Sequence, residues 1–177
     1  MPASMVSIVM GSASDWPVMQ SAAEQLALLQ ISYEVTVSSA HRAPQRTSAL
    51  ARGAAERGIK VIIAGAGGAA HLAGVLAAET TLPVIGVPID SSALRGFDAL
   101  LATVQMPRGV PVATVAIGKA GAANAGILAA QMIALSDAEV ATRLRQYKAD
   151  LAAKVERDAA ALEAQVQGGI DAAASQS

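Results

Sequence analysis

Five short runs of β-branched and other apolar residues alternate along this chain with longer Ala-rich stretches, and that alternation restricts the fold more than any other feature. The runs are Val6-Ser7-Ile8-Val9-Met10, Tyr33-Glu34-Val35-Thr36-Val37, Val61-Ile62-Ile63-Ala64, Val84-Ile85-Gly86-Val87 and Val112-Ala113-Thr114-Val115-Ala116-Ile117. Their near-continuous apolarity suits strands covered on both faces. Helices are predicted between them, at about 17–29, 44–57, 69–79, 94–104 and 122–135. Strand and helix in strict alternation call for right-handed crossovers, and so for a three-layer α/β/α domain with a parallel sheet at its centre. Hydrophobic residues make up 53% of the chain and aromatics only 2%. The core must therefore be built of Ala, Val, Ile and Leu with little ring stacking.

At 177 residues one domain can bury a proper core. A single domain over residues 1–165 is expected, with 166–177 as a disordered tail. After Leu135 the run Ser136-Asp137-Ala138-Glu139 reads as an S-x-x-E capping box opening a long C-terminal helix. In that helix Val140, Leu144, Tyr147, Leu151, Val155 and Leu162 recur at helical spacing. The stripe needs a cover, which a neighbouring subunit or the helix's own domain could supply.

Thirteen Lys and Arg against fourteen Asp and Glu leave a net charge of -1. Such a balance argues against counterion-releasing binding to nucleic acid and against a polybasic membrane patch. There is no cysteine, which excludes disulfides, thiolate metal sites and thiol nucleophiles. Two histidines are too few for a His-rich metal site. The N-terminal residues lack a basic signal region and no apolar run is long enough for a membrane span, so a cytoplasmic protein is expected.

In open parallel sheets ligands sit beyond the carboxyl ends of the strands, and three loops there carry the residues of interest. Gly11-Ser12-Ala13-Ser14-Asp15-Trp16-Pro17 combines a turn glycine, two hydroxyls and a helix start marked by Pro17. A helix N-terminus there would suit a phosphate; the simpler reading makes Asp15 a helix cap, and the loop alone does not separate the two. Ser39-Ala40-His41-Arg42 sets an imidazole beside a guanidinium, a pairing suited to proton transfer next to an anion. The alternative is an exposed loop histidine with a solvated arginine. Gly65-Ala66-Gly67-Gly68-Ala69-Ala70 matches the G-x-G-x-x-G/A dinucleotide pattern, with Asp90 roughly 20 residues on. It lies after the third strand rather than the first, and its bare backbone could equally approach a planar ligand. His71 either joins that pocket or bonds to backbone within a helix. Gly118-Lys119-Ala120-Gly121 is not a P-loop, since position 113 is Ala and Lys119 precedes Ala120.

Taken together, Met10–Trp16, Ser39-Ala40-His41-Arg42, Ile63–Leu72, Val104–Gly109 and Ala116–Ala125 resemble the bacterial mutase branch of the phosphoribosylaminoimidazole carboxylase catalytic-subunit family, over about residues 5–135. The resemblance implies a flavodoxin-like fold and an isomerase of de novo purine biosynthesis. Its reaction would turn N5-carboxyaminoimidazole ribonucleotide into 4-carboxy-5-aminoimidazole ribonucleotide. It also implies a homo-octamer with shared active sites, and no metal, ATP or organic cofactor. By the same resemblance His41 is the catalytic histidine, Ser12, Asp15 and Arg42 bind substrate, and Ser14, Ser39, Gly67 and His71 are further pocket positions. His71, within Gly-Gly-Ala-Ala-His, points to the mutase branch rather than to relatives that fix carbon dioxide directly. Ala73 and Ala43 depart from the family's usual proline and threonine, which bears on loop rigidity.

Overall fold

The computed structural model describes residues 4–174, with side chains as far as Gln167. Five strands, β1 (Val6–Met10), β2 (Tyr33–Val37), β3 (Val61–Gly67), β4 (Val84–Ile89) and β5 (Ala113–Thr114), form one all-parallel sheet in the order β2-β1-β3-β4-β5. Helices α1 (Trp16–Leu28), α2 (Pro44–Arg52), α3 (Leu72–Ala78), α4 (Phe97–Val104) and α5 (Gly118–Ala134) connect and cover it, and α6 (Ala138–Ala174) follows.

Side-chain alternation in the strands divides the interior into two cores, one on each face of the sheet. Val6, Ile8 and Met10 of β1, Val61 and Ile63 of β3 and Ile85, Val87 and Ile89 of β4 pack with Met19, Ala22 and Leu26 of α1 and Ala122, Ala125 and Ala129 of α5. Val9, Ile62, Ala64 and Val84 face the other way, against Ala51, Leu72, Ala73 and Leu76 of α2 and α3. With so few rings each aliphatic contact counts; truncating a fully buried residue such as Leu26 to Ala would cost roughly 2–5 kcal/mol.

Some boundaries differ from expectation. α2 ends at Arg52 rather than 57, because the chain then turns at Gly53 and Gly58 to drop Ala54 and Ile59 into the second core. β5 is two residues long instead of six: it pairs only through Ala113 and Thr114 at the sheet edge, and the chain leaves at once for α5. β2, the other edge strand, is covered on one face only; Tyr33, Val35 and Val37 are 36–39% exposed. The capping box at Ser136 does not form. Asp137 caps α6 instead, its Oδ1 accepting from the N–H groups of Glu139 and Val140 at 3.0 Å. Val140, Leu144 and Tyr147 fold back on the domain's own core, while every described residue from Lys148 to Gln167 is exposed. The last residues of the expected tail, 175–177, lie outside the described residues. No helix among the described residues is long and apolar enough to cross a membrane.

Candidate active site

The strand order puts the carboxyl ends of β2, β1 and β3 side by side, so the loops that follow them meet. The β1 loop is tied to β3 by the Gly11 N–H, which donates to the Gly65 carbonyl at 3.2 Å. Ser12 then starts a single 3₁₀ turn and closes a reciprocal cap. Its Oγ accepts from the Ser14 N–H, and its own N–H donates to Asp15 Oδ2 at 3.1 Å. The Ser14 hydroxyl donates to Ser12 Oγ at 2.8 Å. Asp15 is buried, and that burial pushes its carboxyl above the usual carboxylate range against the opposing pull of the Ser12 N–H and the Arg42 charge. The helix cap offered for Asp15 does not form: its side chain makes no capping bond at the start of α1 and reaches back to the Ser12 N–H instead, while the residue lines the cavity.

The β2 loop is rooted by buried Ser38, whose N–H donates to the Met10 carbonyl and whose hydroxyl meets that of Thr47 at 2.8 Å. Beyond it Ser39 Oγ accepts from both the backbone N–H and Nε of Arg42 at 3.3 Å, and Arg42 Nη2 donates to the Gly11 carbonyl at 3.1 Å. The guanidinium therefore bridges the β1 and β2 loops. The β3 loop depends on shape. A Cβ on Gly67 would stand 1.9 Å from Ser91 Oγ, and Gly68 has φ +58°. The turn delivers His71 to the start of α3.

His41 and His71, thirty positions apart in the chain, meet here. Nε2 of His41 lies 2.7 Å from Nδ1 of His71, with ring centroids 4.8 Å apart and planes at 72°. One of the facing nitrogens must donate and the other accept, so the bond holds a single proton between them.

Ser12, Ser14, Asp15, Ser39, His41, Arg42, Gly67 and His71 all line one cavity of about 380 Å³, large enough for a small polar ligand. Sequence reasoning missed Ser91, which also lines it. The rule that found the other loops would have found this one, since Ser91 follows β4 as they follow their strands. The dinucleotide pattern is used otherwise: Gly65 and Gly67 belong to β3 itself, and their missing side chains make room for Met19 and Ser91. Asp90 is exposed beyond β4, and Lys119 is exposed in the first turn of α5. No group of three or more His, Asp or Glu among the described residues is placed to hold a metal ion.

The 2-1-3-4-5 parallel order and a polar cavity at its strand ends define a flavodoxin-like domain with an open cavity at the topological switch. More narrowly, the pattern of the AIR carboxylase family matches residues 5–154, and the chain belongs to that family. The N5-carboxyaminoimidazole ribonucleotide mutase of Bacillus subtilis is 60% identical over 144 residues, covering 81% of this chain and 89% of the relative. The Escherichia coli K12 enzyme of the same name is 57% identical over 143 residues, 81% of this chain and 85% of the relative. Among solved structures, Treponema denticola PurE superposes with a TM-score of 0.78 at 28% identity, covering 86% of this chain and 94% of that one.

Proposed function

We propose that this chain is an N5-carboxyaminoimidazole ribonucleotide mutase of purine biosynthesis, acting in the cytoplasm with His41 as its general acid and base. The observation that carries the proposal is the His41–His71 bond at the mouth of a cavity whose other walls are Arg42 and the Ser12–Asp15 turn. In the proposed reaction His41 gives a proton to the exocyclic nitrogen as its bond to the carboxyl carbon breaks. Carbon dioxide and aminoimidazole ribonucleotide remain in the cavity. C4 of the imidazole then bonds to that carbon dioxide, and the proton displaced from C4 returns to His41. Atoms and charge balance, and the histidine ends as it began.

The surroundings support this division of labour. A phosphate would be met by Arg42 and by the Ser12 and Ser14 hydroxyls ahead of α1. Asp15 would accept from ribose hydroxyls. Ser39 and the backbone of Gly67 would bound the imidazole. His71 would fix the ring orientation of His41, holding the shared proton until substrate takes its place. The bound substrate and a neighbouring copy of the chain would close this open cavity and keep carbon dioxide within reach of C4.

Assembly is part of the proposal. Phe97, Leu101 and Val104 of α4 are 50–61% exposed and, with the open face of β2, suit burial against further copies of the chain in a homo-octamer.

The experiment is turnover of synthetic N5-carboxyaminoimidazole ribonucleotide by purified protein without added metal or nucleotide, followed by ultraviolet absorbance. Light scattering on the same sample reports the assembly. No conversion by the assembled protein at high concentration would refute the proposal.

A further inference from the structure

Four serines line the cavity, and three of them are already engaged. Ser14 donates its hydroxyl to Ser12 Oγ at 2.8 Å, Ser12 Oγ also accepts the Ser14 N–H, and Ser39 Oγ accepts from Arg42 at 3.3 Å. Ser91 differs: among the described residues its hydroxyl has no hydrogen-bond partner. Neighbouring Ser92 shows what the loop after β4 needs for itself. Its hydroxyl donates to Asp98 Oδ1 at 2.9 Å and accepts the Leu94 N–H at 3.2 Å, which ties the loop to α4. Ser91 takes no part in that. Its Oγ lies against Gly67 instead, where a Cβ would stand only 1.9 Å away. The end of β3 thus does without a side chain, and the room goes to a hydroxyl that the fold itself does not use.

Place in the sheet says what that hydroxyl would meet. In the order β2-β1-β3-β4 the anion-binding groups Arg42, Ser12 and Ser14 follow β2 and β1, whereas Ser91 follows β4. β1 and β4 are two strand spacings apart, roughly 10 Å. A ribonucleotide with its phosphate at the β1 and β2 loops therefore lays its base toward β3 and β4, where Gly67 offers backbone and Ser91 a hydroxyl. Of the groups on that base, an ionised carboxyl gains most from a donor, because a charge-assisted hydrogen bond is about twice as strong as a neutral one.

Building on the reaction proposed above, we infer that Ser91 is a further substrate-binding residue: its hydroxyl donates to the carboxyl group that moves between the exocyclic nitrogen and C4. No bond is made or broken at Ser91, and it keeps its proton throughout. Its part is to favour carboxylated over uncarboxylated ribonucleotides, a choice that Arg42, Ser12 and Ser14 at the phosphate cannot make. A hydroxyl left unbonded by the fold is free for this use in every turnover, since no internal hydrogen bond has to be given up first.

Ser91→Ala keeps the Cβ and removes only the hydroxyl, so its melting temperature should stay near wild type. Calorimetry then compares two probes, 4-carboxy-5-aminoimidazole ribonucleotide and 5-aminoimidazole ribonucleotide, which lacks the carboxyl. Affinity for the first should fall at least about tenfold, as for a lost bond to a charged group, and affinity for the second by less than about twofold. Ser92→Ala loosens the same loop from outside the cavity; it should lower the melting temperature and leave the ratio of the two affinities unchanged. Wild type that binds neither nucleotide would overturn the proposed function and the role of Ser91 with it. Wild type that binds both, with Ser91→Ala losing neither or losing both alike, would overturn the role of Ser91 alone. So would an equal change of ratio in the two variants, which would trace the effect to the loop rather than to the hydroxyl.

Discussion

The two histidines of the cavity are presented by loops built on different plans. The loop after β2 is held by hydrogen bonds between side chains and backbone: Ser38 to Thr47, Ser39 to Arg42, and Arg42 across to Gly11. The loop after β3 rests on glycine instead: Gly67 lies close against Ser91, and Gly68, with open space around it, sits in the left-handed region. A bonded loop loses its contacts one at a time, whereas at Gly67 an added methyl group must displace the Ser91 hydroxyl. Reactivity and tolerance should therefore divide between them, with His41 on the adaptable side and His71 on the rigid one.

The largest effect is expected at His41. His41→Asn keeps a polar side chain on the bonded loop but cannot carry a proton, so kcat should fall by about 10²–10⁴ while KM stays within a few-fold. A kcat near wild type would move the proton carrier elsewhere, and the difference drawn between the loops would then have no bearing on catalysis.

Next comes Gly67→Ala. Its Cβ would meet Ser91 Oγ at 1.9 Å, so overpacking should cost about 1–3 kcal/mol, read as a lower melting temperature, with turnover impaired as His71 shifts. Ser91→Gly in the same chain removes the obstructing hydroxyl and should restore at least half of the loss, a coupling expected of residues in contact. If Gly67→Ala melts like wild type, the β3 loop is not held by shape.

Arg42→Lys probes the bonded loop more gently. Lysine keeps the charge but cannot reach Ser39 and Gly11 together, nor fork onto a phosphate. KM should rise about tenfold, equivalent to ~1.4 kcal/mol of binding, with little change in melting because the residue is exposed. A large fall in melting temperature would mean that the guanidinium clamps the fold itself.

How far the sequence could be read follows from the same contrast. Alternating strands and helices made the parallel sheet legible, and the strand-end rule then gathered Ser12 to Asp15, Ser39 to Arg42 and Gly67 to His71 around one cavity. Such inferences need only local period and chain direction. What stayed hidden was contact between distant positions. Nothing local pairs His41 with His71, or shows that Gly67 is glycine because of Ser91 twenty-four residues later. Asp137 displaced Ser136 as the cap because the helix starts one residue later than the S-x-x-E spacing suggests, and boundaries of that kind are set by packing of Val140 on the core. β5 shrank for a related reason: an edge strand extends only as far as its single neighbour offers partners.

The smallest effect concerns Asp15, which combines the two plans by being both buried and bonded. Its carboxyl is raised in the folded protein chiefly by burial. In the unfolded chain it loses its proton at lower pH, so across the window from the ordinary carboxylate range up to the raised folded value the unfolded state binds fewer protons. Folding stability from this group is thus fully present below that window and is lost as pH rises through it. Asn at this position can still accept the Ser12 N–H, so Asp15→Asn should remain within about 1 kcal/mol of wild type at low pH. As pH rises through the window, wild type should lose stability relative to the variant, as followed by urea denaturation at a series of pH values. The opposite slope would mean that the Ser12 N–H and Arg42 outweigh burial, and Asp15 would then join the bonded loop in full.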